Sequence, residues 1–208
     1  MQPLQRMFDN ENNEVCLFPM EDLHLSPDRV PAEHQLLAMD FLGWNSLGRV
    51  YDCPCYAPVS CEVVYTGADH NMICWSMSPV RCADGTLSDI SILVAHSDTA
   101  PGSVGTTYVQ GQLWYHTGNY GQSTGDHLHM EVAKGHVTWD GTGTHLEGPS
   151  HLYDIMYVND TVLSRPENFD WKTYDGPSPE DKKKKKNFPW AIYGLKFYER
   201  RKKYGNTF

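Results

Sequence analysis

The sequence predicts a mainly β protein built on an antiparallel β-sheet, with few or no helices and a basic C-terminal extension. Its 208 residues include 17 Gly, 13 Pro and 12 Tyr, a composition that favours short strands joined by turns over a helix bundle. Several segments alternate apolar and polar side chains with the two-residue period of a strand. The length is enough for one domain with a sizeable core and additional terminal segments.

Residues 16–150 carry the strand patterns and are predicted to form the β domain, after a polar, flexible arm at residues 1–15. The segment 56–67, YAPVSCEVVYTG, alternates and ends on a glycine, which is typical of a strand entering a hairpin. The segment 88–98, SDISILVAHSD, also alternates. It therefore predicts a strand with His96 at its end.

The segment 123–132, STGDHLHMEV, is a predicted strand that carries two histidines separated by one leucine. Because side chains alternate between the two faces of a strand, one face receives two imidazoles and a carboxylate, from His127, His129 and Glu131. The other face is apolar and points into a core, through Leu128, Met130 and Val132. Imidazoles ~7 Å apart on one face can hold a metal ion and keep a second base beside it. The alternative is a pair of surface histidines on a solvent-facing strand.

A catalytic zinc ion usually has three protein ligands and one open position for water, so the His-x-His strand needs partners from upstream. His34 and Asp40 flank the start of the apolar segment 34–44, HQLLAMDFLGW, and are the favoured pair. His24 and Asp28 are the alternative pair, in a segment whose prolines indicate a loop.

The order of these segments resembles the lysostaphin-type zinc peptidases, which cut the peptide part of bacterial peptidoglycan. The most specific element is residues 118–132, GNYGQSTGDHLHMEV, which is similar to the closing motif G-x-x-G-x-[AS]-T-G-x-H-[LI]-H of that family. Residues 57–67 are similar to its AP-x-x-G-x-V strand, although Ser60-Cys61 stands where a glycine is usual. The resemblance covers about residues 16–135.

The resemblance implies a lysostaphin-like fold (a duplicated hybrid motif) with a substrate groove and one Zn2+ per chain. It makes His34, Asp40 and His129 the zinc ligands, although five residues separate the first two where the family commonly has three. His96 and His127 become the catalytic histidines, which bind no metal and face the zinc-bound water. One would act as general base and acid, and the other would stabilise the oxyanion.

The remaining histidines and three aromatic residues are less specific signals. Five histidines are predicted to be surface or groove residues rather than ligands: His70, His116, His136, His145 and His151. The aromatic residues near the glycine-rich loop either line a groove or pack in the core: Trp114, Tyr115 and Tyr120.

Six cysteines are expected to be reduced, because the N-terminal residues have no apolar core of the kind that a secretory signal needs. One or two disulfides, or a second, structural metal site, are the alternatives. A hydrolase of the cysteine–histidine type is a further alternative, but no cysteine lies in a recognisable nucleophile turn.

Charge is unevenly distributed along the chain. From Gly176 to Phe208 ten basic residues face three acidic ones, so this tail carries +7 and the first 175 residues carry −16 of the net −9. An acidic body argues against nucleic acid as a ligand. The best apolar stretch, residues 90–95, is too short for a membrane span.

Two segments follow the predicted domain. Residues 151–175 are predicted to pack back on it, and part of this segment is similar to extensions found on phage-encoded family members. Residues 176–208 are predicted to be a linker followed by a basic, aromatic tail.

The predicted function is a zinc endopeptidase that hydrolyses bacterial peptidoglycan, as a phage tail-associated protein or an endolysin. It would reside in the virion or leave the host at lysis, and the tail at 176–208 would bind phage tail or assembly proteins. The alternative is an inactive domain of the same fold that serves as a virion assembly or wall-binding module.

Overall fold

The computed structural model describes residues 6–20, 23–25, 37–45, 47–158, 171–174 and 176. The chain divides into two units, residues 1–176 and 177–208, and the second lies outside the described residues. His34, Asp28 and the predicted basic tail also fall outside them. Within these ranges no helix is long and apolar enough to cross a membrane.

The described residues form short strands and a single one-turn helix, as the glycine- and proline-rich sequence predicts. In chain order they are β1 (Leu23–Leu25), β2 (Ala38–Asn45), β3 (Gly48–Val50), β4 (Pro54–Tyr56), β5 (Cys61–Thr66), β6 (Met72–Ser76), β7 (Val80–Arg81), β8 (Leu87–Ser88), β9 (Ile90–Ala95), β10 (Thr107–Tyr108), β11 (Leu113–His116), β12 (Leu128–Lys134), β13 (Pro149–Ser150) and α1 (Leu152–Ile155).

Nine of these strands form one sheet in the order β1-β2-β12-β9-β6-β5-β10, with β13 beside β12 and β3 beside β2. Two small two-stranded sheets, β11-β4 and β7-β8, complete the set. Every pair of these described strands is antiparallel. The prediction of a mainly β, antiparallel fold with few helices is therefore confirmed.

Strand β12 lies between β2 and β9, and the register fixes which side chains share a face. Leu128 pairs with Phe41, and His129 pairs with both Asp40 and Ala95. Directly opposed residues of neighbouring strands lie on the same face of a sheet. One face therefore buries Phe41 and Leu128, and the other carries Asp40 and His129.

The main core lies beneath the apolar face of β12. Leu128, Met130 and Val132 are fully buried there, as the alternation of the sequence predicts. The ring of Phe18 packs edge-on against those of Phe41 and Trp171, with centroids 4.8 and 5.6 Å away. Burial of each large apolar side chain stabilises the fold by roughly 1.5–3 kcal/mol.

All six cysteines are buried, and none of them forms a disulfide. Burial raises the pKa of the Cys82 thiol to about 11 and raises the pKa values of Cys16, Cys55 and Cys74 well above the ordinary value. The thiols of Cys16, Cys55, Cys74 and Cys82 are therefore protonated core side chains in the folded protein.

Residues 136–148, called the 136–148 loop below, cover the other face of the sheet. Leu146 packs there with Ile73, Leu93 and Ala133 in a second, smaller core. The Asp140 carboxylate accepts backbone N–H bonds of 3.0 and 2.9 Å from Thr142 and Gly143, which closes the tip of the loop. The loop therefore lies over the same face that carries His129 and Glu131.

Candidate active site

Four of the five predicted site residues form one cluster at the end of β9, beside β2 and β12. Nδ1 of His129 lies 3.0 Å from Oδ1 of Asp40, and Nε2 of His127 lies 3.6 Å from the same oxygen. The ring centroid of His96 is 4.7 Å from that of His127 and 5.9 Å from that of His129. The fifth predicted residue, His34, lies outside the described residues.

His129 is held between two carboxylates. Its Nδ1 donates to Asp40 at 3.0 Å, and its Nε2 donates to Oε1 of Glu131 at 3.2 Å. Burial lowers the pKa of His129, but the hydrogen bonds and charges of the two carboxylates outweigh burial and raise it to about 9. With no metal ion bound, this imidazole is therefore positively charged at neutral pH.

Glu131 is a buried carboxylate that was only partly recognised from the sequence. It lies on the predicted polar face, but it is 1% exposed rather than open to solvent. Burial raises its pKa, and hydrogen bonds from His129, His145 and the backbone N–H of Leu146 lower it more strongly, so the net shift is downward. The carboxylate is therefore ionised and fully partnered.

His127 is oriented by the backbone of the glycine-rich loop. Its Nδ1 lies 2.7 Å from the carbonyl oxygen of Gly125 and 3.3 Å from Oγ of Ser123. A carbonyl only accepts hydrogen bonds, so Nδ1 carries the proton when it bonds to Gly125. In the neutral ring this leaves Nε2, which faces Asp40, with a free lone pair that can accept a proton.

His96 follows β9 in an uncommon backbone conformation, with φ at +82°. Its Nδ1 donates to the carbonyl oxygen of Tyr120 at 2.9 Å, and the Tyr120 N–H donates to the His96 carbonyl at 3.0 Å. Burial lowers the pKa of His96, and the nearby rings of His127 and His129 lower it further. His96 is therefore neutral at pH 7, with Nε2 as its proton acceptor.

Gly118 brings the glycine-rich loop against both catalytic candidates. Its N–H donates to the His127 carbonyl at 3.1 Å, and the His127 N–H donates to the Gly118 carbonyl at 2.9 Å. A Cβ atom at residue 118 would overlap the backbone from His96 to Asp98. Only glycine allows this close approach.

An ion-pair network anchors the start of β12. Asp126 pairs with Arg49 at 3.5 Å and accepts hydrogen bonds from Thr117 Oγ1 at 2.7 Å and from the Asp52 N–H at 2.9 Å. Arg49 also donates to the Asp126 carbonyl. The residue directly before His127 is thus tied to β3 and to the end of β11.

His70 and Tyr120 border the cluster, and the sequence did not single out their pairing. Their rings stack with centroids 3.9 Å apart and planes 7° apart, and Tyr120 is 43% exposed. His70 Nδ1 donates to the Ser97 carbonyl at 2.8 Å. The buried Tyr115 hydroxyl donates to the His70 carbonyl at 2.6 Å and accepts from the Ser97 N–H at 3.1 Å. Tyr120 thus lies at the rim, while Tyr115 and Trp114 belong to the core.

The remaining histidines separate into one that reaches the site and others that do not. His145 Nδ1 donates to Glu131 Oε1 at 2.6 Å. His136 stacks on Trp75 with centroids 4.9 Å apart, and His151 stacks on Tyr153 at the same distance. Nothing in the local sequence around His145 marks its contact, because it depends on the fold of the 136–148 loop.

Two of the three predicted zinc ligands, Asp40 and His129, lie within the described residues. Within the described ranges no group of three or more His, Cys, Asp and Glu side chains could hold a metal ion. Asp40 and His129 are neighbours of the ligand types that zinc prefers. The bond from His129 Nε2 to Glu131 is the kind of second contact that orients zinc-binding histidines. These two residues therefore fit two positions of a three-ligand zinc site.

No family model matches the chain. It is similar to Morphogenesis protein 1 of Bacillus phage B103, with 31% identity over 174 residues, which covers 78% of this chain and 45% of that protein. The chain thus spans less than half the length of this relative.

Solved structures with a similar fold include several peptidases. Lysostaphin from Staphylococcus simulans is 17% identical, over 61% of this chain and 47% of that chain, with a TM-score of 0.42. A zinc-containing peptidase from Vibrio cholerae is 17% identical, over 62% and 40% of the two chains, with a TM-score of 0.39. A putative peptidase M23 from Pseudomonas aeruginosa is 18% identical, over 64% and 48%, with a TM-score of 0.38.

Proposed function

We propose that the chain is a zinc-dependent endopeptidase of the lysostaphin type that hydrolyses peptide bonds in bacterial peptidoglycan. The observation that carries this proposal is the cluster of Asp40, His129, His127 and His96 on one face of the sheet. The two candidate ligands, Asp40 and His129, lie there beside His127 and His96, whose Nδ1 atoms bond to the backbone carbonyls of Gly125 and Tyr120. This division of roles suits metal-assisted amide hydrolysis.

In this proposal His34, Asp40 and His129 would hold one Zn2+ per chain. When bound, zinc would lower the pKa of its water to about 7 and polarise the scissile carbonyl. Asp40 contributes negative charge to the ligand set. Glu131 fixes the orientation of His129 by accepting its Nε2–H bond.

Of His127 and His96, one would transfer protons and the other would stabilise the oxyanion. Each ring has its Nδ1 fixed by a backbone carbonyl, from Gly125 and Tyr120 respectively, so each presents Nε2 to the cluster. One Nε2 accepts the proton of the attacking water and returns it to the leaving amine. The other, after taking up a proton from solvent on its Nε2, would donate a hydrogen bond to the oxyanion.

The biological setting that we propose is a phage. The similarity to a phage morphogenesis protein supports this origin. In a virion the enzyme would open the cell wall locally, and as an endolysin it would act after release from the host. The peptide cut lies in the stem or the cross-bridge of peptidoglycan.

The name of that relative also supports a second candidate, in which the domain is an inactive part of virion assembly or of wall binding. Digestion of purified cell walls, followed by identification of the new amino termini, separates the two candidates. An enzyme releases new amino termini, loses this activity with a chelator and regains it with zinc. A structural module releases none, and that result would reject the proposed endopeptidase. Insensitivity to chelator together with inhibition by thiol reagents would instead indicate a cysteine hydrolase.

A further inference from the structure

The carboxylate of Glu131 links the candidate zinc ligand to the 136–148 loop. Its Oε1 accepts hydrogen bonds from His129 Nε2 at 3.2 Å and from His145 Nδ1 at 2.6 Å. Its Oε2 accepts the backbone N–H of Leu146 at 2.8 Å. Two of the three donors therefore come from consecutive residues of the loop.

An ionised carboxylate at this depth needs such partners. The Glu131 side chain is 1% exposed, and a buried charge without hydrogen bonds is strongly unfavourable. The His145 side chain is 41% exposed, so it reaches from solvent to the buried oxygen. Its position is set by the loop backbone, where the Asp140 N–H donates to the His145 carbonyl at 2.7 Å.

We propose that Glu131 and His145 are positioning residues for His129, and that His145 acts through Glu131. The inference rests on the proposed function in so far as His129 is taken as a zinc ligand. When His129 releases its Nδ1 proton to solvent, Glu131 would keep the remaining proton on Nε2, so that Nδ1, the atom that faces Asp40, could bind the metal ion. His145 holds the Glu131 carboxylate in the rotamer that makes this bond. The 136–148 loop thereby becomes part of the metal site without touching the metal.

Zinc affinity, measured by competition with a chromophoric chelator, tests this inference. Loss of a residue that orients a metal ligand commonly weakens binding 10- to 100-fold. We expect Glu131→Gln to weaken zinc binding by about that factor, and His145→Ala to weaken it by roughly threefold to tenfold. The visible spectrum of the cobalt-substituted protein should change in both variants, because the orientation of the His129 ring changes.

His136→Ala is the matched control. His136 lies in the same loop and its side chain is 39% exposed, close to the 41% of His145, but it stacks on Trp75 instead of bonding to Glu131. The zinc affinity and the cobalt spectrum of the His136→Ala variant should equal those of the parent. The double variant of Glu131→Gln and His145→Ala should bind zinc no more weakly than Glu131→Gln alone, since His145 acts only through Glu131.

Two results would overturn the inference. One is a zinc affinity equal to that of the parent in both single variants, and the other is a double variant whose loss of zinc affinity is the product of the two single losses. If Glu131→Gln fails to fold, His145→Ala decides the matter alone, since its site is partly exposed. A parent that binds zinc but does not cut walls would reject the proposed endopeptidase while leaving this inference in place. If the parent cuts cell walls in a zinc-dependent way and both single variants bind zinc as tightly as the parent, only the positioning role is rejected and the proposed endopeptidase stands.

Discussion

His96 combines an unfavourable backbone conformation with a position in the candidate site. A residue other than glycine at a φ of +82° costs of order 1–3 kcal/mol. Two hydrogen bonds with the backbone of Tyr120 hold it there and aim the ring at His127 and His129. A conformation kept at this cost is consistent with the catalytic role proposed for His96.

We expect one zinc ion per chain, bound through His129 and Asp40 together with His34. His129→Ala should reduce the zinc content from about one equivalent to nearly none, because two ligands do not make a stable zinc site. Metal analysis of the purified parent and variant measures this. His151→Ala, whose ring stacks on Tyr153, is the control that should retain the metal. Full zinc content in His129→Ala would show that this residue is not a ligand.

We expect His127→Ala and His96→Asn to keep zinc and to lose hydrolysis by roughly two to four orders of magnitude. Asparagine is chosen at residue 96 because it tolerates the left-handed backbone region better than alanine does. Wall turbidity assays, read beside zinc content and thermal unfolding, separate lost chemistry from lost structure. Near-parental lysis by either variant would exclude that histidine as a catalytic group.

Among the elements, the glycine-rich loop before β12 is the one whose path decides the site geometry. It supplies the carbonyls of Gly125 and Tyr120 that bind the two catalytic candidates. It also pairs with His127 through Gly118, where the chain passes against the backbone of residues 96–98. The glycine at residue 118 is therefore a structural requirement of the site.

Gly118→Ala should destabilise the protein and lower its activity. The added Cβ overlaps backbone atoms of His96 and Asp98, which cannot rotate away. We expect a loss of about 2 kcal/mol, which lowers the Tm by roughly 4–8 °C for a chain of this length. Gly125→Ala is the matched control in the same loop, because a Cβ there meets nothing within 4 Å. Equal unfolding temperatures for the two variants would refute the close-packing argument.

The strands illustrate what the sequence could and could not predict. The alternation in STGDHLHMEV predicted that Leu128 and Met130 enter the core and that His127 and His129 share the other face, and the structure has this arrangement. Strand periodicity is a local signal, so it can be read without the fold. It could not predict that the 136–148 loop covers the face that carries His129 and Glu131.

Contacts between distant segments account for what was missed. Glu131 was expected on a polar face, but the 136–148 loop buries it and brings His145 to it. His70 stacks on Tyr120, although 49 residues of sequence lie between them. Such pairs depend on loop paths that composition does not specify. The metal and catalytic roles themselves stay predictions until they are measured.

For the molecule as a whole, we expect all six thiols to be unreactive in the folded state. Each cysteine is buried, and the pKa of Cys82 is raised to about 11. Only the thiolate reacts rapidly, so alkylation at pH 8 should be slow in native protein and complete after unfolding in denaturant. Mass spectrometry counts the modified residues. Fast native labelling of any cysteine would show that its segment opens, and inhibition of wall lysis by that labelling would favour the cysteine-hydrolase alternative.

The last prediction concerns the uneven charge of the chain. Residues 176–208 carry +7, with five consecutive lysines at 182–186, whereas the rest of the chain carries −16. Seven aromatic residues occur between Phe188 and Phe208, more than a plain linker would have. Aromatic side chains that fill pockets, combined with cations that are attracted to an acidic surface, are typical of a segment that binds a partner.

Deletion of residues 177–208 should therefore leave hydrolysis of small peptide substrates unchanged, because the candidate site lies in the unit 1–176. The same deletion should abolish incorporation into phage particles if the tail binds virion proteins, which is the role that we favour. It should abolish retention on cell walls if the tail binds the wall instead. Replacement of the five lysines at 182–186 by glutamine is the companion variant. If charge attraction contributes, the glutamine variant should bind phage particles or cell walls more weakly than the parent protein does. The difference in binding between the two proteins should shrink as salt is added. Normal assembly and normal wall binding by the truncated protein would show that the tail is only a linker.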